Sequence, residues 1–184
     1  GYGGYFRNSS GVALKAAGSG IIQSTAQSYV WISGNGVRPF HQSDSTVIDM
    51  DTKGGALVYC GATSGTRNVM LPITVPGPLY GQDVTVSDLD IYFRTEDDFD
   101  TITAVLLRRQ AGVGSYDNIL HDSATHGCDD DVHPDGCTIH YDLTSNNVLS
   151  ADAGILYLTL ELTYSSGGTT WIQIGGARLT LEHD

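Results

Sequence analysis

Apolar residues in this chain recur with a period of two, the spacing at which alternate side chains leave opposite faces of a strand. The clearest case is 155–164, where Leu158, Leu160 and Leu162 share one face and Thr159, Glu161 and Thr163 the other. The same signal predicts strands over 29–33, 45–49, 56–60, 67–75, 84–94, 101–109, 139–143, 169–174 and 177–182. Pro72 moves 67–75 towards an edge or a bulge, because proline cannot donate to a ladder. In 84–94, Val84 and Val86 share parity with Asp88, Asp90, Tyr92 and Arg94, while Leu89, Ile91 and Phe93 take the other. The apolar set therefore changes face near Ser87-Asp88, which predicts a bulge there. Gly34-Asn35-Gly36, Ser165-Ser166-Gly167-Gly168 and Gly175-Gly176 read as turns. The best helical candidate, 12–17, is short and bracketed by Gly11 and Gly18. Many short strands with Gly-rich turns predict an all-β chain, an antiparallel β-sandwich or jelly roll over 41–184, preceded by a Gly-rich extended β segment over 1–40.

The opening stretch follows a different rule. Across 1–24, small apolar steps alternate with Gly and Ser, and Tyr2, Tyr5 and Phe6 have nothing local to be buried against. Such a segment gains order by stacking on copies of itself. Self-association through 1–40 is expected, as a trimer with a filament as the rival, and a chain lacking 1–27 is expected to remain a folded monomeric sandwich. Gly1 in place of a Met implies that an upstream part has been cleaved or omitted. The run Gly-Tyr-Gly-Gly-Tyr-Phe, followed by Asn-Ser-Ser-Gly-Val-Ala-Leu, resembles the last copy of the Gly-Tyr-Gly and Gly-Val-Tyr-Gly repeats of long bacterial and phage fibre proteins. That resemblance implies a trimeric β shaft ending in a globular domain. It also implies an extracellular place, on a cell-surface appendage or on a virion or injection-system fibre.

Charge narrows the partners. The chain has 184 residues, 9 basic against 21 acidic, and a net charge of −12. Affinity for phosphate needs clustered Lys and Arg, so nucleic acid and anionic lipid are excluded as partners. No apolar run is long enough to cross a bilayer, so no membrane insertion is expected. The adjacent pair Arg108-Arg109 closes a strand and reads as edge charge.

Candidate chemistry gathers in polar stretches. Cys128 and Cys137 flank a Pro-Asp-Gly turn suited to a disulfide, with zinc or free thiols as the alternatives, and Cys60 reads as a buried free thiol. A disulfide points to an oxidising compartment. His121 and His126 have a zinc-type spacing but no close cysteine pair. Asp97, Asp98 and Asp100, and separately Asp129, Asp130 and Asp131, are candidate calcium ligands; no other cofactor is expected. The histidines His121, His126, His133 and His140 offer a pH sensor, against the plainer reading of surface residues. Recognition is expected on three loops, 96–100, 115–137 and 144–152, with Glu96, Asp97, Asp98, Tyr116, His121, His126 and His133 as candidate ligand-binding residues. Trp31 and Trp171 lie in strands and read as core or interface packing ahead of a sugar-stacking platform. No G-x-S-x-G motif occurs, and acids cannot be paired across a cleft from sequence, so no catalytic residue is assigned. The expected function is a non-enzymatic extracellular fibre or filament subunit whose sandwich serves assembly and binding to a surface glycan or receptor. The alternative is a carbohydrate-binding module of a secreted protein.

Overall fold

In the computed structural model, residues 26–75, 83–150 and 154–183 are described. They form β1 (Ser28–Ser33), a 3-10 turn (Gly34–Gly36), β2 (Arg38–Pro39), β3 (Val47–Met50), β4 (Ala56–Tyr59), β5 (Gly65–Ile73) and β6 (Val84–Thr95). There follow β7 (Thr101–Gly112), β8 (Ser115–Asp122), β9 (Cys137–Asp142), β10 (Val148–Leu149), β11 (Ile155–Tyr164) and β12 (Trp171–His183). No α-helix occurs among the described residues, and so no helix there is long and apolar enough to cross a membrane. The strands make an antiparallel β-sandwich. One sheet has seven strands, β10-β6-β12-β4-β3 with β9 also on β6 and β1 also on β12; the other has five, β2-β5-β11-β7-β8.

The alternation predicted from the sequence supplies the core. Leu156, Leu158, Leu160 and Leu162 of β11, with Val69 and Leu71 of β5 and Val105 and Leu107 of β7, are buried in the core. Leu89, Ile91 and Phe93 of β6 and Ile172, Ile174, Leu179 and Leu181 of β12 supply the other sheet's share. Each such side chain stabilises the fold by about 1.5–3 kcal/mol on burial. The expected bulge is present. Thr180 pairs with Asp88 and Leu181 with Val86, so Ser87 is the extra residue. It brings Val84 and Val86 into the core while Asp88, Asp90, Tyr92 and Arg94 take the opposite face of the strand, where Asp90 alone is buried.

Several expectations change. Gly175-Gly176 is not a turn: β12 runs straight through it, with a register shift between Ile174 and Gly176. Gly176 has φ +143°, and a Cβ there would lie 2.3 Å from the Ile32 carbonyl oxygen, so β1 passes too close for any side chain. Ser165-Ser166-Gly167-Gly168 does not close a hairpin, because β11 belongs to the five-stranded sheet and β12 to the seven-stranded one. The crossing is fastened by Tyr164, whose buried hydroxyl donates to the Val58 carbonyl at 2.6 Å. Residues 115–122, expected in a loop, form the edge strand β8. Its only core residue is Ile119, so it carries almost no alternation. Pro72 does lie on a stretch of β5 that pairs on one side only, with β11, since β2 meets only Val69 and Met70.

The sheets draw on residues before position 40: β1 pairs with β12 over Ser28–Ser33, and β2 pairs with β5. The opening Gly-Tyr stretch, with the fibre resemblance and the assembly expected of it, lies outside the described residues.

Candidate functional site

The bulge at Ser87 and the pairing register decide what the outer face of the seven-stranded sheet displays. His140 lies opposite Asp90, Asp90 opposite Arg178, and Arg178 opposite Trp31, a single row across β9, β6, β12 and β1. One row away, Asp142 faces Asp88, Asp88 faces Thr180, and Thr180 faces Tyr29. On the other side Thr138 faces Tyr92, and beyond it Arg94 faces Gln173.

Aromatic rings lie over this face. Trp31 is 65% exposed, and its ring stacks on Tyr92 with centroids 5.7 Å apart and planes 17° apart. The Arg178 guanidinium sits 5.4 Å from the ring centres of both Trp31 and Tyr29. Asp90, buried, holds that guanidinium through Oδ2, which accepts from Nε at 2.9 Å and from the terminal nitrogen. Its Oδ1 is 2.7 Å from His140 Nδ1. Burial pushes the Asp90 carboxyl up, but the hydrogen bonds from His140 and Arg178 outweigh it and hold it below the usual carboxylate range. The hydrogen bond to Asp90 raises His140 above the ordinary imidazole value.

Beside the rings lies a cleft of about 340 Å³. Tyr92, Arg94, Thr138, Gln173 and Gly175 form its floor. Asp51 and Lys53 of the β3–β4 turn wall one side, and the loop Pro134–Cys137 walls the other. A chain of polar contacts stiffens the floor. Arg94 donates to the Pro134 carbonyl at 3.3 Å and to Gln173 Oε1 at 2.6 Å, while Gln173 Nε2 donates to Asp51 Oδ2 at 2.6 Å and to the Gly54 carbonyl at 2.9 Å. The Lys53 backbone N–H and the Gln173 amide hold the Asp51 carboxyl below its ordinary value. Arg94 also lies 5.1 Å from the ring centre of Trp171.

Residues singled out from the sequence fall elsewhere or play other parts. Cys128 and Cys137 form the expected disulfide, with Cα atoms 5.9 Å apart, and Cys60 is buried and free. The bridge closes the loop that walls the cleft. The two acidic clusters meet at one point: the Asp98 carboxyl, raised by its neighbour, shares a hydrogen bond with Asp129, which is lowered by it. Asp100 instead turns inward, fully buried, and its Oδ1 accepts from the Ser165 backbone N–H at 2.9 Å. Asp97 caps its own turn through the Phe99 N–H, and Asp131 donates its backbone N–H to Asp129. Glu96 accepts from the Trp171 N–H at 3.2 Å. Among the described residues these clusters, including Asp130, bring no three ligand atoms together within reach of one ion.

Tyr116 is exposed on β8 under Arg108, on the five-stranded sheet. His121 and His133 are exposed, and neither lines the cleft, although the His133 carbonyl accepts from the Gly136 N–H in the loop that walls it. His126 is not a ligand partner of His121; its Nε2 is 2.8 Å from Asp122 Oδ2, to which Tyr141 also donates at 2.7 Å. Of the expected core or interface packing, the core half does not hold for Trp31, because β1 lies on the sheet with Trp31 on the outward parity. Sequence reasoning passed over Tyr92, Asp90, Arg178 and Gln173. The one available signal was the outward set Asp88, Asp90, Tyr92, Arg94 on β6.

No family model and no curated protein matches the chain. Among solved structures it is similar to the CBM22-1 xylan-binding domain of Paenibacillus barcinonensis Xyn10C, at 14% identity over 88% of this chain and 97% of that one, with a TM-score of 0.46. It is also similar to the C-terminal CBM6 of LamC, a marine laminarinase from Zobellia galactanivorans, at 15% identity over 83% and 99% of the two chains, with a TM-score of 0.44.

Proposed function

We propose that this β-sandwich is a non-catalytic carbohydrate-binding module that takes a glycan across the outer face of its seven-stranded sheet. The stacked, exposed Trp31–Tyr92 pair beside a polar cleft carries the reading. A sugar ring offers an apolar face of C–H groups and a rim of hydroxyls. Flat aromatic rings match the first, and hydrogen-bonding groups fixed in place match the second. Here Arg94, Gln173 and Asp51 supply donors and acceptors in a preset network, so little ordering is left to the moment of binding. The cleft lining mixes Arg, Lys, Asp and Gln, which suits a neutral glycan better than a strongly anionic one. This reading takes precedence over a fibre subunit, because the stack and cleft support glycan binding, whereas the stretch that suggested a fibre lies outside the described residues. Secretion belongs to the same proposal, and the disulfide supports it. Self-association through the Gly-rich stretch is a further part of the proposal.

Calorimetric titration with a panel of soluble neutral polysaccharides tests it. Binding to at least one member, lost in Trp31→Ala and Tyr92→Ala, is the expected result. Absence of binding across the panel, or binding indifferent to both substitutions, overturns it.

A further inference from the structure

At the end of the outward face away from the cleft, Asp88, His140 and Asp142 bring one ligand atom each to within 4.8 Å of one another. We propose that these three residues bind one divalent transition-metal ion of the zinc class, at a site on the same outer face but away from the Trp31–Tyr92 pair and the cleft.

Four observations carry the assignment. First, the donor set is one imidazole nitrogen and two carboxylate oxygens, which suits a borderline ion rather than calcium. Second, the imidazole is already oriented. The buried Asp90 carboxylate lies 2.7 Å from Nδ1 and so fixes the proton there. That leaves Nε2, hydrogen-bonded to Asp142 Oδ1 at 3.3 Å and 4.0 Å from Asp88 Oδ1, as the nitrogen that would give up its proton to an ion. A carboxylate behind a ligating histidine is the usual means of setting its tautomer and strengthening it as a ligand. Third, Asp88 is oriented too, because the Ser87 hydroxyl donates to its other oxygen, Oδ2, at 2.6 Å. The extra residue of the bulge thus holds the ligand beside it. Fourth, the charge is unbalanced. Three carboxylates, those of Asp88, Asp90 and Asp142, face two groups able to carry positive charge, the His140 ring and the Arg178 guanidinium, the latter engaged by Asp90 on the side remote from His140. A divalent cation would offset the excess.

The ligands stand on paired strands, with Asp88 opposite Asp142 and Asp90 opposite His140, so the backbone geometry is fixed. Asp142 is 85% exposed and needs only a side-chain rotation to close on an ion. Remaining positions would be filled by water.

Titration of the full chain with Co²⁺, followed by visible absorption, and with Zn²⁺ as competitor by calorimetry, tests the site without any glycan. One equivalent is expected to bind. His140→Ala is expected to remove it and Asp142→Asn to weaken it at least ten-fold, while His121→Ala and His133→Ala leave it unchanged. An unchanged stoichiometry and affinity in a folded His140→Ala overturns the proposal, as does the absence of any binding. Should that variant fail to fold, Asp142→Asn carries the same test on an exposed side chain, and unaltered binding there overturns it equally. Trp31→Ala is expected to bind Co²⁺ as the parent does, so loss of glycan binding and loss of metal are read apart.

Discussion

Trp31 and Tyr92 stack face to face at 5.7 Å, although β1 and β6 never pair: β12 lies between them. The contact crosses the strand where Gly175 and Gly176 sit, and neither glycine puts a side chain in its way. A ring pair laid over a glycine gap is a shallow apolar bed open to solvent.

The first prediction concerns that bed. Trp31→Ala should weaken polysaccharide binding at least ten-fold, about 1.4 kcal/mol, while shifting unfolding free energy by no more than about 0.5 kcal/mol, as expected for an exposed residue. Affinity gel electrophoresis and a urea melt check both parts. A large loss of stability would make Trp31 a packing residue instead.

A second prediction concerns Gly176. Its φ of +143° and the Ile32 carbonyl 2.3 Å from any Cβ mean that Gly176→Ala must push β1 away from β12. A destabilisation of about 2 kcal/mol is expected. Gly36→Ala, where nothing lies within 4 Å, is expected to stay within about 0.5 kcal/mol. Equal denaturation midpoints for the two variants would refute the steric account.

The third prediction is on pH. Asp122 accepts from the Ala124 backbone N–H, from the Tyr141 hydroxyl and from His126, and together these lower its pKa to about 2. Its unfolded value is about 3.9. A carboxylate depressed in the folded state contributes stability that is complete above the unfolded pKa and fades as pH falls through the folded one. Up to about 2 kcal/mol should therefore disappear between about pH 4 and pH 2. Unfolding free energies measured across that window should flatten in Asp122→Asn. A parent and variant with parallel profiles would show that Asp122 does not act in this way.

Reduction of Cys128–Cys137 gives the fourth. The bridge spans a sequence separation of 9, for which loop-closure entropy suggests about 2–3 kcal/mol. Reduced protein should melt earlier and should also bind glycan more weakly, since Pro134–Cys137 walls the cleft. Preserved affinity after complete reduction would detach the loop from the site.

The sequence by itself determined what depends on neighbours along the chain. Period-two alternation specified most of the strands and the sandwich core, because a strand's faces follow directly from parity. The reversal of parity at Ser87-Asp88 located the bulge, and the Cys128–Cys137 spacing located the disulfide. Tertiary structure decided what depends on pairing. β8 was not legible because an edge strand with one core residue has no pattern to read. Gly175-Gly176 read as a turn because glycine marks both turns and close backbone approach, and only the position of β1 distinguishes them. Trp31 read as core or interface packing because period two says which residues share a face but not which face is covered. Nor did spacing along the chain bring Asp88 to His140 or Arg94 to Gln173. Those pairs exist because β9 and β12 lie on either side of β6 in one register, and register is set by the burial of whole faces against the opposite sheet.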